Sequence, residues 1–232
     1  MELLRTRHAK RAFLKDETIP IEKIRTILGA AAEGSPSTKN TQPWGVSIVR
    51  GQLLEDLRNL LLSKFDAGEL DNPEYSNRPS NPTVKEFDDK VASYGKELFA
   101  WKGIDRYNEA QRNEHERVNY ECFGASTLLL LHIPNRAVPG TFIDAGLFLQ
   151  SVLLGFHAYG YGACPQYSMA KFSKTLKEFH KDRNIKPLIP EDRILVCGIS
   201  VGCIDPDAKI NSFSPSRVPA DAWIDDISAD EE

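Results

Sequence analysis

Residues 126–159 read STLLLLHIPNRAVPGTFIDAGLFLQSVLLGFHAY, two apolar segments joined by a short segment with two prolines. The first, residues 126–133, has the length and composition of a buried strand. The second, residues 142–159, predicts a helix that is apolar on nearly every side. Such a helix must be covered all round, either by the rest of the chain or in part by a second subunit. A buried strand followed by a buried helix indicates packed layers of sheet and helix.

The rest of the chain predicts few strands and many helices. Short strands are expected at Gly45–Arg50 and at residues 193–201, and residues 71–82 form a loop rich in proline and asparagine. Apolar residues recur at helical spacing over residues 20–33, 53–61, 83–102, 106–121 and 170–181. Strands separated by helices indicate an α+β or α/β architecture with a small sheet, which we interpret as a single domain over residues 1–232.

The C-terminal extension, residues 205–232, differs in composition from the rest. It is rich in proline, serine and aspartate, and six of its last twelve residues are acidic. The pattern fits a solvated tail or an arm that wraps a second subunit.

Composition excludes several classes of protein. With 29 Lys and Arg against 33 Asp and Glu, the net charge is -4, which argues against a broad nucleic-acid or anionic-membrane surface. Four cysteines without a C-x-x-C pair make a disulfide scaffold or a zinc cage improbable. The basic N-terminus has no apolar run behind it, so no secretory signal is expected. We interpret the apolar helix as part of a core and expect a cytoplasmic protein without nucleic-acid or membrane partners and without a metal.

Three polar clusters could carry chemistry. Residues 1–15 hold five basic residues and one acidic residue, a net charge of +4 that suits a phosphate or, alternatively, a solvated terminus. Residues 34–44 concentrate hydroxyls and amides that could grip a polar heteroaromatic ligand or simply cap a helix. Residues 161–167 combine glycines with a proline and could present backbone amides, or form a turn between helices. A hydrolase using Cys164 and His157 is a weaker alternative.

These clusters, in this order, resemble the FMN-dependent nitroreductase family. Residues 7–13 (RHAKRAF) are similar to its N-terminal arginine motif, and residues 35–44 (SPSTKNTQPW) to its serine-proline loop. Further matches cover most of the chain and resemble the larger branch that includes nitrobenzoate reductases: GIDR at 103–106, NYECFGA at 119–125, DAGLFLQSV at 144–152, ACPQ at 163–166, VCG at 196–198 and RVP at 217–219.

The resemblance implies a three-layer α+β fold with a small mixed sheet flanked by helices, in a homodimer whose C-terminal arms embrace the partner. FMN would lie at the interface. Its phosphate and ribityl end would be held by Arg7, His8, Ala9, Arg11 and Arg217. Asn119 would reach the pyrimidine side, and the ring would be lined by Pro165, Gln166 and Tyr167, with backbone amides near N5. The other subunit would contribute Pro36, Ser37, Thr38, Asn40 and Gln42.

The resemblance also implies the chemistry. NAD(P)H would reduce the flavin, and a small flat aromatic acceptor would oxidise it again in a ping-pong cycle, with nitro groups passing to nitroso and hydroxylamine and quinones reduced once. No side chain need act as a nucleophile; Arg11 is the predicted electrostatic stabiliser. Two alternatives remain open: a flavin-binding sensor or storage protein with little turnover, and a reductive dehalogenase or flavin-fragmenting enzyme on the same fold.

Overall fold

The computed structural model describes residues 1–76 and 84–227. The predicted loop at residues 71–82 is therefore described only as far as Ser76, and the last five residues of the C-terminal extension lie outside the described ranges.

A four-stranded sheet forms the centre of the fold. Its strands are β1 (Gly45–Arg50), β2 (Thr127–Pro134), β3 (Gly162–Gln166) and β4 (Arg193–Gly202), in the order β1-β2-β4-β3. All three pairings are antiparallel, so the prediction of a mixed sheet is wrong for the described strands. Helical connections can return the chain to either end of a sheet, and the alternation of helix and strand therefore does not fix strand direction.

The helices lie on both faces of this sheet. Their bounds are α1 Glu2–Thr6, α2 Ile21–Gly34, α3 Gln52–Asp66, α4 Lys85–Lys102, α5 Glu109–Arg117, α6 Pro139–Ala158 and α7 Ser173–Glu178. The helix predicted at residues 170–181 is a 3-10 turn, Tyr167–Phe172, followed by the short α7, because Phe172 leaves the helical backbone region (φ -126°, ψ 26°). The predicted helix at residues 106–121 is likewise shorter, since Asn108 caps the start of α5 by accepting from the Gln111 N–H at 3.1 Å.

Strand β2 divides the interior into two cores. Leu128 and Leu130 pack in one core with the buried face of α3, whereas Leu129 and Leu131 pack in the other with α2 and α6. Alternate side chains of a strand point to opposite faces, so a strand buried on both sides reads as a continuous apolar run. The predicted three-layer α+β architecture is confirmed.

Strand β3 was missed by sequence reasoning, which interpreted residues 161–167 as a loop or turn. Its sequence, GACPQ, has no apolar alternation, and proline suits only an edge strand. Among the described strands, β3 lies at the edge of the sheet and pairs with β4, where Pro165 lies opposite Ile199. Gly162 is required by packing, because a Cβ there would lie 2.7 Å from Cε1 of Phe13.

Helix α6 is covered on only one face within this chain. Phe148, Val152 and Phe156 are buried, but Ile143 is 65% and Leu147 is 42% exposed. Among the described residues it is the one helix long and apolar enough to span a membrane, although a third of its most apolar window is buried inside the protein. The described residues of this subunit therefore do not provide the expected all-round covering.

The first half of the C-terminal extension packs on its own chain. Phe213 is 4% exposed and its ring contacts the rings of Tyr94 and Trp101 on α4. The Ser216 hydroxyl donates to the Glu97 carboxylate at 2.5 Å. A solvated tail is therefore wrong for residues 205–216. Farther along, Trp223, Ile224 and Ile227 are exposed, at 67%, 55% and 92%.

Candidate functional site

The N-terminal segment lies against the ends of β3 and β4. Its backbone joins the sheet where the Lys10 N–H donates to the Ala163 carbonyl at 3.2 Å and the Leu14 N–H donates to the Cys203 carbonyl at 3.0 Å. Phe13, 5% exposed, anchors the segment in the core, and Ala9 packs partly against the same core. These contacts fix the side chains between Arg7 and Arg11 beside the edge strand.

Asn211 holds the backbone at Arg11. Its side-chain oxygen accepts from the backbone N–H groups of Arg11 (2.8 Å) and Ala12 (3.2 Å). Its amide nitrogen donates to the carbonyls of Ala12 (2.8 Å) and Asp205 (2.9 Å). With 6% exposure, Asn211 meets its full hydrogen-bonding capacity inside the protein. One residue of the C-terminal extension thus sets the path of the N-terminal motif.

Five basic residues converge here without a carboxylate partner among residues 1–76 and 84–227: Arg7, His8, Lys10, His157 and Arg217. We call them the cationic cluster. Burial and then Arg217 lower the pKa of Arg7, and burial and then Lys10 lower the pKa of both His8 and His157. Mutual repulsion of this kind is relieved by a bound anion.

Other bonds in the cationic cluster are to neutral groups. The Lys10 ammonium donates to the Asn211 carbonyl at 2.7 Å, and His157 Nε2 lies 2.9 Å from the Thr6 hydroxyl. Arg217 is exposed, and within the described ranges its guanidinium donates to the carbonyls of Pro215 and Ser216, at 3.4 and 3.3 Å. The guanidinium groups therefore keep most of their donors for a ligand.

Arg11 points toward α4 and α5. Its Nη2 donates to the Tyr94 hydroxyl at 3.2 Å. Burial and then the charge of Arg11 lower the pKa of Lys102, and burial, then Lys102, then Arg11 lower the pKa of His115. Arg11 and Arg7 also face Cys164, but burial dominates and raises the pKa of that thiol to about 11. A protonated thiol, with His157 bonded to Thr6 instead, disfavours the Cys-His hydrolase alternative.

The β3 edge offers backbone groups rather than side chains. Gln166 is 3% exposed: its amide donates to the Asn119 carbonyl at 2.7 Å and its oxygen accepts from Ser200. Its side chain is thus bonded inside the protein, and its backbone pairs with Gly198 of β4. Pro165 has no N–H, so the expectation of backbone amides from all three ring-lining residues is wrong at that position. The Tyr167 hydroxyl donates to the Tyr75 carbonyl at 2.7 Å.

The second cluster, the loop of residues 36–42, is built from strained backbone. Lys39, Asn40 and Gln42 have φ of 51°, 58° and 44°, in the left-handed region that non-glycine residues rarely adopt. The Gln42 N–H donates to the Ser37 hydroxyl at 3.1 Å, and the Gln42 amide donates to the Asn40 oxygen at 2.9 Å. Backbone held this way marks a functional segment when its surroundings over-determine it.

Asp144 of α6 supplies that restraint. Both of its carboxylate oxygens accept from the Thr38 N–H at 3.1 Å, and the Thr38 hydroxyl donates at 3.2 Å. Asp144 is 4% exposed, and a buried carboxylate needs such donors. The loop is thus tied to the helix whose other face carries exposed apolar residues.

The structure separates the predicted site residues into two groups. One group lies around the edge of β3 and comprises Arg7, His8, Ala9, Arg11, Asn119, Pro165, Gln166, Tyr167 and Arg217. The other comprises Pro36, Ser37, Thr38, Asn40 and Gln42. No hydrogen bond joins the two groups in the part of the chain that the structure describes.

The donor set fits FMN. Its phosphate is a dianion that the unpaired cationic cluster would neutralise, and its ring is flat and polar at one edge, which suits backbone groups at β3. Burial and then Lys10 lower the pKa of His8 and of His157, and a phosphate bound beside them would raise both pKa values again.

Sequence reasoning missed several residues of this region. His157, Asn211 and Ser200 reach it from distant parts of the chain, and no local pattern marks them. Asp144 did carry a signal, because it is the one charged residue in the apolar α6 and must therefore be bonded.

Comparison with known proteins gives a consistent result. Residues 4–203 match the model of the "Nitroreductase family". The chain is 29% identical to a 4-nitrobenzoate reductase of Pseudomonas putida, over 94% of this chain and 91% of the relative. It is 30% identical to a chloronitrobenzene nitroreductase of Comamonas testosteroni, with coverage of 94% and 92%.

Solved structures agree. The FMN- and NADPH-dependent nitroreductase NfnB from Sphigopyxis sp. strain HMH superposes with a TM-score of 0.89, at 29% identity and 98% coverage of both chains. The FMN-dependent NfnB from Mycobacterium smegmatis, solved with NADPH, has a TM-score of 0.86 at 25% identity, with coverage of 98% and 97%. The sequence prediction is confirmed, and this chain belongs to the nitroreductase family.

Proposed function

We propose that this protein is an FMN-dependent nitroreductase that takes hydride from NAD(P)H and reduces nitroaromatics, or quinones, in a ping-pong cycle. The observation that carries the proposal is the unpaired cationic cluster beside the backbone edge of β3. It supplies the positive charge that the phosphate of a flavin mononucleotide requires.

The cationic cluster would hold the phosphate and ribityl end. Burial and then Arg217 lower the pKa of Arg7, and both arginines lie close enough to lower the pKa of His8, after burial and Lys10. None of these three residues has an ion pair in the described ranges. Ala9 would contribute its backbone there, and the Lys10 ammonium lies nearby on the Asn211 carbonyl. Each charge-assisted hydrogen bond contributes about 1.5–3 kcal/mol.

A homodimer would complete the site. The loop of residues 36–42 does not bond to the cationic cluster of its own chain, so we assign Pro36, Ser37, Thr38, Asn40 and Gln42 to the partner's flavin. Asp144 ties the loop to α6, and the exposed Ile143 and Leu147 of that helix would bury against the second subunit. Trp223, Ile224 and Ile227 would act as the arm that embraces it.

Bound FMN supplies the redox chemistry: nitroarene, NAD(P)H and a proton give nitrosoarene, NAD(P)⁺ and water, and a second NAD(P)H and proton give the hydroxylamine. The protein's own groups bind, orient and stabilise. Arg11 would balance the negative charge of the reduced ring, Asn119 would contact its pyrimidine edge, and the backbone at Gln166 and Tyr167 would lie near N5. Cys164 stays a thiol and shapes the pocket.

The free cysteines and the dependence on NAD(P)H favour a cytoplasmic enzyme.

The test is spectroscopic. Protein loaded with FMN should show a flavin spectrum that bleaches under anaerobic NADPH and returns when 4-nitrobenzoate is added, with nitroso and hydroxylamine products. A protein that cannot be loaded with FMN would overturn the proposal. Bound flavin that NAD(P)H cannot reduce would indicate the sensor or storage alternative. Halide release or loss of the flavin ring would indicate the dehalogenase or flavin-fragmenting alternative.

A further inference from the structure

Helix α4 carries three side chains that hold the C-terminal extension. The rings of Tyr94 and Trp101 contact the ring of the buried Phe213. Both oxygens of the Glu97 carboxylate accept from Ser216, one from its backbone N–H at 3.2 Å and the other from its hydroxyl at 2.5 Å. The three side chains follow one another by three and four residues, so a single face of α4 docks the first half of the extension.

The same face of α4 also reaches the N-terminal motif. The Tyr94 hydroxyl accepts from Arg11 Nη2 at 3.2 Å. Glu97 follows Tyr94 by three residues, so the two side chains are neighbours on the helix surface. Ser216, which Glu97 holds, directly precedes Arg217. One turn of α4 therefore joins Arg11 to the backbone that carries Arg217.

Glu97 holds this backbone without neutralising Arg217. The two hydrogen bonds from Ser216 are the main cause that lowers the pKa of the Glu97 carboxyl, and the charge of Arg217 adds to them more weakly. No ion pair joins Glu97 to Arg217 in the described ranges. Because both carboxylate oxygens already accept from Ser216, the guanidinium stays available to an anion.

Close packing does not fix the position of Arg217. A cavity of about 530 Å³ lies between α4 and residues 215–218. In the described ranges, the hydrogen bonds that tie residues 214–219 to another element are the two that Glu97 accepts. Pro215 and Pro219 restrict the backbone on either side of Arg217, and a stiff segment needs few contacts to stay in one place.

We propose that Glu97 is a positioning residue for the flavin phosphate, which holds Arg217 at the cationic cluster through Ser216 and leaves its guanidinium unpaired. The inference rests on the proposed function, because the phosphate of FMN is the anion that Arg217 would bind. A carboxylate near a phosphate site would weaken binding through its charge alone. Loss of the tether and loss of the charge should therefore have different effects.

The experiment measures the binding of FMN and of riboflavin, which lacks the phosphate, to protein freed of flavin. Glu97→Ala removes both the tether and the charge. Glu97→Gln removes the charge and keeps an amide oxygen that accepts from Ser216. The matched control is Asp88→Ala, which removes a carboxylate from an exposed position on the same helix. Arg217→Gln is measured alone and together with Glu97→Ala.

Glu97→Ala should weaken FMN binding about two- to tenfold, because Arg217 must then be ordered when the phosphate binds. Riboflavin affinity should stay the same, which also shows that the variant is folded. Glu97→Gln and Asp88→Ala should bind FMN nearly as tightly as the wild type. In the Arg217→Gln background, Glu97→Ala should cause no further loss, because the side chain that it positions is gone.

Four results would overturn the proposal and leave the proposed function intact. They are equal losses for FMN and riboflavin in Glu97→Ala, a loss in Asp88→Ala as large as that in Glu97→Ala, a loss that adds in full to that of Arg217→Gln, and tighter FMN binding by Glu97→Ala. The first would mean that Glu97 only stabilises the fold, and the last that its charge repels the phosphate. Wild-type protein that binds no FMN would refute the proposed function as well.

Discussion

The candidate site has two halves, the cationic cluster and the loop of residues 36–42, and different interactions hold them in place. The cationic cluster is positioned by ordinary sheet and core contacts, and its functional property is unneutralised charge. The loop of residues 36–42 is nearly neutral, and its functional property is a left-handed backbone held by Asp144. In the proposed site, one half would therefore recognise the charge of the ligand and the other its shape. Each half can therefore be disabled without touching the other.

The largest expected effect comes from the cationic half. Arg7→Gln should weaken FMN binding by about 1.5–3 kcal/mol, or about 10- to 150-fold, because it removes a charge-assisted contact to the phosphate. Isothermal titration of the apoprotein with FMN measures this. Arg5→Gln is the matched control, since Arg5 is an exposed arginine on α1. Equal losses of FMN affinity in the two variants would mean that the overall positive charge of the N-terminal segment, and not a contact of Arg7, determines binding.

The loop half should respond to backbone geometry. A branched residue is strongly disfavoured at a φ of 58°, so Asn40→Val should force the loop out of its conformation and weaken FMN binding by about 1–3 kcal/mol. Asn40→Gly accepts the same φ and should lose much less. Both variants leave the core intact, because Asn40 is exposed. If the valine and glycine variants bind FMN equally, the loop's shape is irrelevant to the site.

The smallest effect is a pH dependence that belongs to the cationic half alone. In the free protein the pKa of His8 and of His157 lies below the ordinary value, chiefly through burial. A bound phosphate raises both pKa values, so binding takes up protons, and FMN affinity should fall a few-fold as pH rises from about 6 to about 8. Riboflavin lacks the phosphate and should show no such trend. A matching trend for riboflavin would contradict the assignment.

Sequence reasoning predicted most helices and the strands with apolar repeats, since burial on one or both faces leaves a periodic pattern. It failed at β3 because a five-residue edge strand with glycine and proline carries no such pattern. The direction of the strands could not be predicted either, because a helical connection permits parallel and antiparallel pairing.

Site residues could be predicted where several polar or charged residues lie close together in the sequence. Arg7, Arg11 and the Ser37–Gln42 loop stand within short motifs and could be identified from the sequence. Asn211 and His157 could not, because they reach the N-terminal segment only through folding, roughly two hundred and one hundred and fifty residues along the chain. That the two halves of one chain would serve different sites was implied by the family resemblance. The spacing of the residues along the sequence does not indicate it.

A hybrid dimer tests most directly whether the two halves come from different subunits. Chains carrying Arg7→Gln are co-expressed, under a second affinity tag, with chains carrying Asn40→Val, and the doubly tagged dimer is purified. One of its sites then combines both defects, and the other combines the intact cationic cluster of one chain with the intact loop of its partner. If the two halves come from different subunits, each hybrid dimer should bind one FMN with wild-type affinity, although neither parent dimer binds FMN this tightly. Hybrid dimers without any wild-type site would contradict it and place both halves of each site in the same chain.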